Sequence, residues 1–557
     1  MNLFKIKSLL LFTLISALVL SSSYIFISTV HDLQFTNSEY FKDQALSYRI
    51  KSNKLKASRG NIYDTNLNVV ASSSRSFNIG VFPKQISNVG EVSAAIGVIL
   101  NLDQEKILEK IVSSDRFFYL KRNIEFNAGE EIKSWNLDGI VLEPSYMRHV
   151  HSESLKKIIG KVDPDENGIE GIEYYFNSNL EGTDGEIKYE ASPNGRMIPQ
   201  AEVKTIQPIH GQDLILTIDS DLQYLSEGLC EDALIRTEAL NCSIVFSNAN
   251  SGEILIAAEK QSQNKQSYDI DLISLRAIYE PGSSLKIFSI GAGIEYGLID
   301  ESTKFVVNDF IEVIEGSCAK NYEGFKACYR DFLNHEPYEL SVMEIIERSS
   351  NVGTILATQN LNIDYLEEYL MKFGFGEPTG VELTGELPGG FRDYNTCATC
   401  LSSLSIGYSI NVTQLQMIRA YSIIANGGRD VNLSMVKKES TSLDNAQIIS
   451  YESANRLKKL LINVVDGKNG TGRSLRLENY IIGGKTGTSK THIEGVGYSD
   501  FRYNTSFTGF IETSKGPVVG SVILWGASVN PRSEYVTGGS TAAPIFKNIV
   551  KNLVPGE

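Results

Sequence analysis

The 557-residue chain lacks any block of basic residues, and its net charge of −15 is spread along its length, which argues against nucleic acid as a partner. It has no internal repeat and no low-complexity tract. It contains no Gly-x-Ser-x-Gly, and no histidine stands near a candidate nucleophile in sequence, which removes a Ser-His-Asp hydrolase. Charge is missing altogether from Ser8 to Val30, a run rich in Leu, Ile, Val and Phe. As a helix this run spans about 34 Å, enough for the hydrocarbon core of a bilayer. Lys5 and Lys7 precede it and His31-Asp32 follow, so the positive-inside rule leaves residues 1–7 in the cytoplasm and exports the rest. The small residues in "LSSSY" suit a signal-peptidase site, but the apolar run continues through "YIFISTV" beyond them, which favours an uncleaved anchor over 8–30.

What is present reads as globular. Hydrophobic residues make up 42% of the chain, enough for a sizeable core, and the length suggests two to four domains. All six cysteines (Cys230, Cys242, Cys318, Cys328, Cys397, Cys400) lie in the exported part, where disulfides persist. Cys318 and Cys328 bracket the loop "CAKNYEGFKAC" and are expected to bridge it. Cys397 and Cys400 form a Cys-x-x-Cys that is either a bridge or a pair of free thiols.

Residues 31–56 suit a stalk, and short alternating runs such as "SFNIGVF" and "GIVLEP" up to about Pro208 suit an α+β module. His149, His151 and Glu153 have a metal-like spacing there, but nothing nearby adds ligands, so an exposed polar strand is expected. A second module opens with a strand at Leu214–Ile218, a helix after Asp219, and the hairpin "NCSIVFSNANSGEILIAAE". Helical segments dominate 283–430, strand-like runs return from "YIIGGKTGTS", and "APIFKNIVKNLV" closes the chain as a helix with one apolar face. Strands first, helices next, strands last predicts one antiparallel sheet covered by helices.

Chemistry concentrates at "YEPGSSLKIFS". Pro281-Gly282 breaks the chain and a buried helix is expected to begin near Ser283. Lys286, three residues on, shares its face, and the helix start favours developing negative charge. Ser-x-x-Lys also occurs at Ser154, Ser262, Ser317 and Ser434, so the tetrapeptide alone is uninformative. "GGKTGTS" holds the only Lys-Thr-Gly, on a predicted strand: Gly487 leaves the strand edge open to a peptide-like ligand and Lys485 offers a cation to a carboxylate. Between the two lies Ser349-Ser350-Asn351 in "ERSSNVGT".

Ser-x-x-Lys, Ser-x-Asn and Lys-Thr-Gly in this order are the signature of the penicilloyl-serine transferases. Over nearly its full length the chain resembles a class B penicillin-binding protein. "RGNIYD" and "GIEGIEYYFNSNLEGTDG" resemble two motifs of that family's non-catalytic pedestal, and "LTIDSDLQ" resembles the start of its transpeptidase domain. "GVGYSDFRYNTSFTGFIE" looks most like the division-specific, FtsI-type members. Three features depart from the family: Thr65-Asn66-Leu67 stands where Arg-Asn-Gly is usual after Asp64, Ser409 replaces a common glycine, and the Cys318–Cys328 segment looks inserted.

The resemblance implies an α+β fold: an anchor over 8–30, a pedestal over 31–208 and a serine β-lactamase-like transpeptidase domain over 209–557. It implies that Ser283 attacks the D-Ala-D-Ala carbonyl with Lys286 as base, that Ser349 relays a proton, and that Asn351 orients the donor peptide and Lys286. Lys485, Thr486 and Thr488 would bind the substrate carboxylate, and the Ser283 and Thr488 N–H groups would form the oxyanion hole. It implies no metal or organic cofactor. Peptidoglycan stem peptides and β-lactams are the implied ligands, with a SEDS-type glycosyltransferase as partner in the cytoplasmic membrane. A class A β-lactamase is disfavoured because no Glu-x-x-x-Asn lies between Asn351 and Lys485, and a bifunctional synthase because Glu-Asp-x-x-Phe is absent. An elongation-specific transpeptidase remains an alternative. So, from another class, does a silent division scaffold or β-lactam sensor, against which the intact motifs weigh.

Overall fold

The computed structural model describes residues 3–192, 198, 203–263, 271–320, 327–393, 397, 399–438, 445–493, 497–528 and 536–554. The uncharged run folds into helix α1 (Leu3–His31), whose apolar side chains from Leu9 to Ile27 are exposed to the surroundings. Among the described residues, the segment Lys5–Thr36 is the one helical stretch long and apolar enough to cross a membrane. A π-helical turn, Asp32–Thr36, leads into α2 (Ser38–Arg49).

The pedestal is built on the strand Val69–Val81. It pairs antiparallel with Ile140–Val150 along one edge, and with Ile62–Tyr63 and Phe118–Glu125 along the other. His149, opposite Ser72 in register, and His151 just past the strand share hydrogen bonds of 2.8 Å with the Ser74 and Ser72 hydroxyls respectively, the polar-strand arrangement expected for them. The two pedestal motifs meet through a buried charge cluster. The Glu173 carboxylate accepts from Arg59 Nε and Arg148 Nε at 2.6 Å each, and Arg59 also donates to the Glu173 and Glu166 carbonyls. Burying three charges is tolerable only because each is paired and hydrogen-bonded.

The turn after Asp64 is closed by that residue's own carboxylate. The buried Asp64 carboxylate accepts from the Asn66 and Asn68 backbone N–H groups, the Asn68 side chain and the Ser220 hydroxyl. Leu67 takes φ 65°, and Ser409 takes φ 64°. The two positions where the family resemblance leads one to expect glycine are thus left-handed, which costs an L-residue about 1–2 kcal/mol. Leu67 is 61% exposed, so it gains little from burial. Leu67→Gly is expected to raise stability by about 0.5–1 kcal/mol after glycine's extra unfolded-state entropy is subtracted. Thermal unfolding checks this, with Leu67→Ala as the control that should give no gain.

The strand expected over Leu214–Ile218 is confined to Leu214–Ile215 and pairs parallel with Ile62–Tyr63, so it completes the pedestal sheet. Asp219 then caps α3 (Ser220–Thr237) by accepting from the Asp221 and Leu222 N–H groups. The hairpin forms as β1 (Asn241–Asn248) and β2 (Ile254–Gln261). The late runs form β3 (Ile482–Ile493), β4 (Gly497–Ile511) and β5 (Val518–Ser528). The sheet order is β2-β1-β5-β4-β3, antiparallel throughout, so the last strand closes against the first and β3 is left at an edge. All of β5 but its last residue is buried, because helices cover both faces. On one side lie α3 and the C-terminal helix, Ala542–Leu553, with Ile545, Phe546, Ile549 and Val550 buried as its periodicity requires. The other side is covered by helices from the 283–466 region.

That middle region is less purely helical than expected. It carries three two-stranded ladders: Lys304–Val307 with Tyr338–Ser341, Phe310–Glu312 with Cys328–Arg330, and Gly390–Phe391 with Ile410–Asn411. Cys318–Cys328 is bridged as expected, with residues 321–326 of its loop outside the described residues, and Cys397–Cys400 is bridged too. The third bridge, Cys230–Cys242, was not anticipated from the sequence and ties α3 to β1.

Candidate active site

The Pro-Gly break does what its chemistry dictates. Gly282 takes φ 54°, and a 3-10 turn, Gly282–Ser284, precedes α4 (Lys286–Glu295). The helix proper therefore begins three residues later than Ser283. The turn is held from three sides: Gly282 N–H donates to the Gly407 carbonyl, Ser284 Oγ to Pro281 O, and Tyr421 OH to Ser284 O. Ser283 is left half-buried at the mouth of the site.

Lys286 and Lys485 are both fully buried. Among the described residues, the Lys286 amine bonds to Ser349 rather than to Ser283, at 2.6 Å from its carbonyl and 3.5 Å from its hydroxyl. Lys485 Nζ donates to Ser349 Oγ at 2.7 Å and to the Thr486 carbonyl at 3.2 Å. One serine thus joins the two lysines. Burial pushes the Lys286 amine down to about 7, partly opposed by the negative charge of Asp331. Burial also holds Lys485 well below the usual lysine range, helped by the neighbouring charge of Lys286.

Ser349 ends α5 (Val342–Arg348), a helix opened by a Ser341–Glu344 capping box, and takes φ 62°. Ser350 caps the next helix, α6 (Asn351–Thr358), by accepting from Gly353 N–H at 2.8 Å. The Asn351 amide donates to the Arg330 carbonyl at 2.7 Å, and among the described residues the Lys286 amine has its hydrogen bonds to Ser349 instead. Asp331 is the residue that the sequence reading missed. Its carboxylate accepts from the Asn351 and Val352 N–H groups and from the Ser350 hydroxyl.

On β3, Lys485 and Gly487 point one way and Thr486 and Thr488 the other, as strand alternation requires. Thr486 Oγ1 donates to Thr471 Oγ1 at 2.8 Å, and Thr488 Oγ1 accepts from Gly538 N–H at 3.2 Å. A Cβ on Gly487 would stand 2.3 Å from Ser506 Oγ and 3.3 Å from the Pro281 carbonyl, so the missing side chain also lets β4 and the Gly282–Ser284 turn pack closely against this strand. A cleft of 730 Å³ runs between the two sides, lined among others by Ser283, Ser349, Asn351, Thr486 and Thr488.

A serine at a helix start, two buried lysines bridged by a second serine, and an edge strand along the cleft define a penicilloyl-serine transferase fold and site. Residues 242–551 match the model of the penicillin binding protein transpeptidase domain, and residues 54–216 match that of the penicillin-binding protein dimerisation domain. The chain belongs to the penicillin-binding proteins, in their two-domain class B form. It is 27% identical over 548 residues to stage V sporulation protein D of Bacillus subtilis, covering 94% of this chain and 82% of that protein. It is 28% identical over 486 residues to the peptidoglycan D,D-transpeptidase FtsI of Buchnera aphidicola, covering 84% of this chain and 81% of that one. Among solved structures, a peptidoglycan synthetase from Bifidobacterium adolescentis shares the fold with a TM-score of 0.68 at 23% identity, over 91% of this chain and 96% of that chain.

Proposed function

We propose that this protein is a penicillin-sensitive peptidoglycan D,D-transpeptidase acting through an acyl-enzyme on Ser283. The observation that carries the reading is Ser349 bridging two buried lysines beside a half-buried serine. Neutral Lys286 takes the Ser283 proton as Oγ attacks the carbonyl between two terminal D-alanines. Ser349 returns a proton to the leaving D-alanine amine, and an amine of a second stem peptide then displaces Ser283. The Ser283 and Thr488 N–H groups receive the oxyanion, each such donor being worth about 3 kcal/mol. Lys485, Thr486 and Thr488 hold the terminal carboxylate, and Asn351 the donor peptide. Mass spectrometry of penicillin-treated protein is expected to place the adduct on Ser283 and on none of the other Ser-x-x-Lys serines; an adduct elsewhere sinks the assignment.

Septal rather than elongation wall synthesis is the role we assign, on the FtsI-like segment after Lys-Thr-Gly and the relative named FtsI. The N-terminus lies in the cytoplasm, and α1 both anchors the chain and packs against a SEDS-type glycosyltransferase through Ser16, Ala17 and Ser21 to Ser23, small residues that permit close helix approach in lipid. Exchanging residues 8–30 for an unrelated apolar helix should leave penicillin binding intact and impair division. Normal division and copurification would reduce α1 to a tether.

A further inference from the structure

We propose that Asp331 is a positioning residue for acylation, fixing Ser349 and through it both lysines. The inference rests on the reading of Ser283 and Lys286 given above. Asp331 directly follows the strand Cys328–Arg330, whose hairpin with Phe310–Glu312 is closed by the Cys318–Cys328 bridge. Its side chain is 8% exposed, and Oδ1 accepts from Asn351 N–H at 2.6 Å and Val352 N–H at 3.0 Å. Oδ2 accepts from Ser350 Oγ at 2.7 Å and lies 3.2 Å from His335 Nε2.

Three consecutive residues after Ser349 are therefore clamped by one carboxylate at the positive end of α6. Ser349 itself is left-handed, a conformation that persists in a serine only where neighbours over-determine it. Its carbonyl and hydroxyl are the groups that receive Lys286 and Lys485, so a loosened start of α6 displaces the acceptors of both amines. The carboxylate also acts through space by favouring the charged form of Lys286 against burial. The other charged or titratable groups facing this region are Lys485 from β3, His335 and Arg330 beside Asp331, Arg348 at the end of α5, and Tyr338.

The experiment follows acylation of the full-length protein in detergent by a fluorescent penicillin across a range of pH, with thermal unfolding recorded for each variant. Asp331→Ala is expected to slow acylation about 10- to 100-fold, the scale of a misplaced catalytic group. Asp331→Asn keeps an oxygen for the Asn351 and Val352 N–H groups, so it should lose less rate. Without the negative charge, however, Lys286 gives up its proton more readily, and the acid limb of the profile should move to lower pH. Asp331→Glu should return that limb to its wild-type position. Wild-type rates in Asp331→Ala and Asp331→Asn overturn the proposal. So does a slower Asp331→Asn whose acid limb has not moved, since that marks a merely structural carboxylate. If Asp331→Ala fails to fold, Asp331→Asn and Asp331→Glu decide alone. Labelling of Ser283→Ala would instead defeat the reading of Ser283, a result distinct from either outcome for Asp331.

Discussion

Replacing Lys286 with arginine is expected to cut acylation by penicillin at least about 1,000-fold, within the range that general-base catalysis supplies. Arginine stays protonated at any accessible pH and cannot accept the Ser283 proton. Lysine at this position can, because burial has brought its amine down to about 7. The sign of the pH dependence follows. Below about 7 the amine is protonated, and acylation falls about tenfold per pH unit; above it the base is free and the rate levels off. Lys485 is also fully buried and held well below its ordinary range, so both amines are candidates on charge alone. Both amines meet Ser349, and their places in the chain separate them: Lys286 follows Ser283 by one turn, whereas Lys485 comes from β3. Lys485→Arg keeps the cation that we propose meets the carboxylate and should retain measurable acylation. Equal rates in wild type and Lys286→Arg refute the lysine-base mechanism, and a greater loss in Lys485→Arg would transfer the role of base to Lys485.

The parts of this site that the sequence discloses are those where chemistry restricts the residue type within a few positions. Ser283 and Lys286 share one turn, Lys485 to Thr488 share one strand, and the break at Pro281-Gly282 marks where the first begins. Alternation and the Asn-Ser-Gly turn likewise disclose the β1–β2 hairpin, and the apolar face of 545–550 discloses the final helix. Asp331 is not legible in this way. It stands 20 residues before Asn351, carries no local pattern, and reaches α6 only because a bridged hairpin folds back. Cys230–Cys242 is obscure for a related reason: pairing depends on α3 lying against β1, which spacing does not reveal. The packing constraint on Gly487 is not legible, since Ser506 and Pro281 come from elements 19 residues downstream and 206 upstream. The strand at Leu214 crosses to the pedestal sheet because Ile62–Tyr63 offers it a parallel edge, a tertiary choice that its own residues do not encode.

The pedestal holds the second large effect. Glu173→Ala is expected to destabilise that domain by about 3–5 kcal/mol, the usual consequence of removing one partner from a buried charge cluster. Glu173 is 1% exposed, and both guanidinium groups that it pairs, Arg59 and Arg148, are nearly as deeply enclosed. Alanine would leave two cations facing one another with only the Glu166 carboxylate, which accepts from Ser73, as remaining counter-charge, and would free the carbonyl contacts that Arg59 and Arg148 make to Glu166, Glu173 and Gly60. Glu173→Gln preserves the volume and one acceptor oxygen but not the charge, so it should fall between alanine and wild type. Thermal unfolding of the full chain is expected to show the pedestal transition moving down in both variants. The transpeptidase domain joins the pedestal through Asp64–Ser220 and Asn66–Asp219, through Lys157 to Glu259 and Asp271, and through one apolar core in which Ile62 and Ile172 pack with residues such as Val245 and Leu275; none of these polar contacts involves Glu173, Arg59 or Arg148. Acylation at Ser283 below the lowered transition should therefore remain within about twofold of wild type, since mutations at distant sites without shared partners act independently. A fall in acylation matching the loss of stability would mean that the two domains unfold as one cooperative unit, and unchanged unfolding in Glu173→Ala would show that the cluster contributes nothing to holding the two pedestal motifs together.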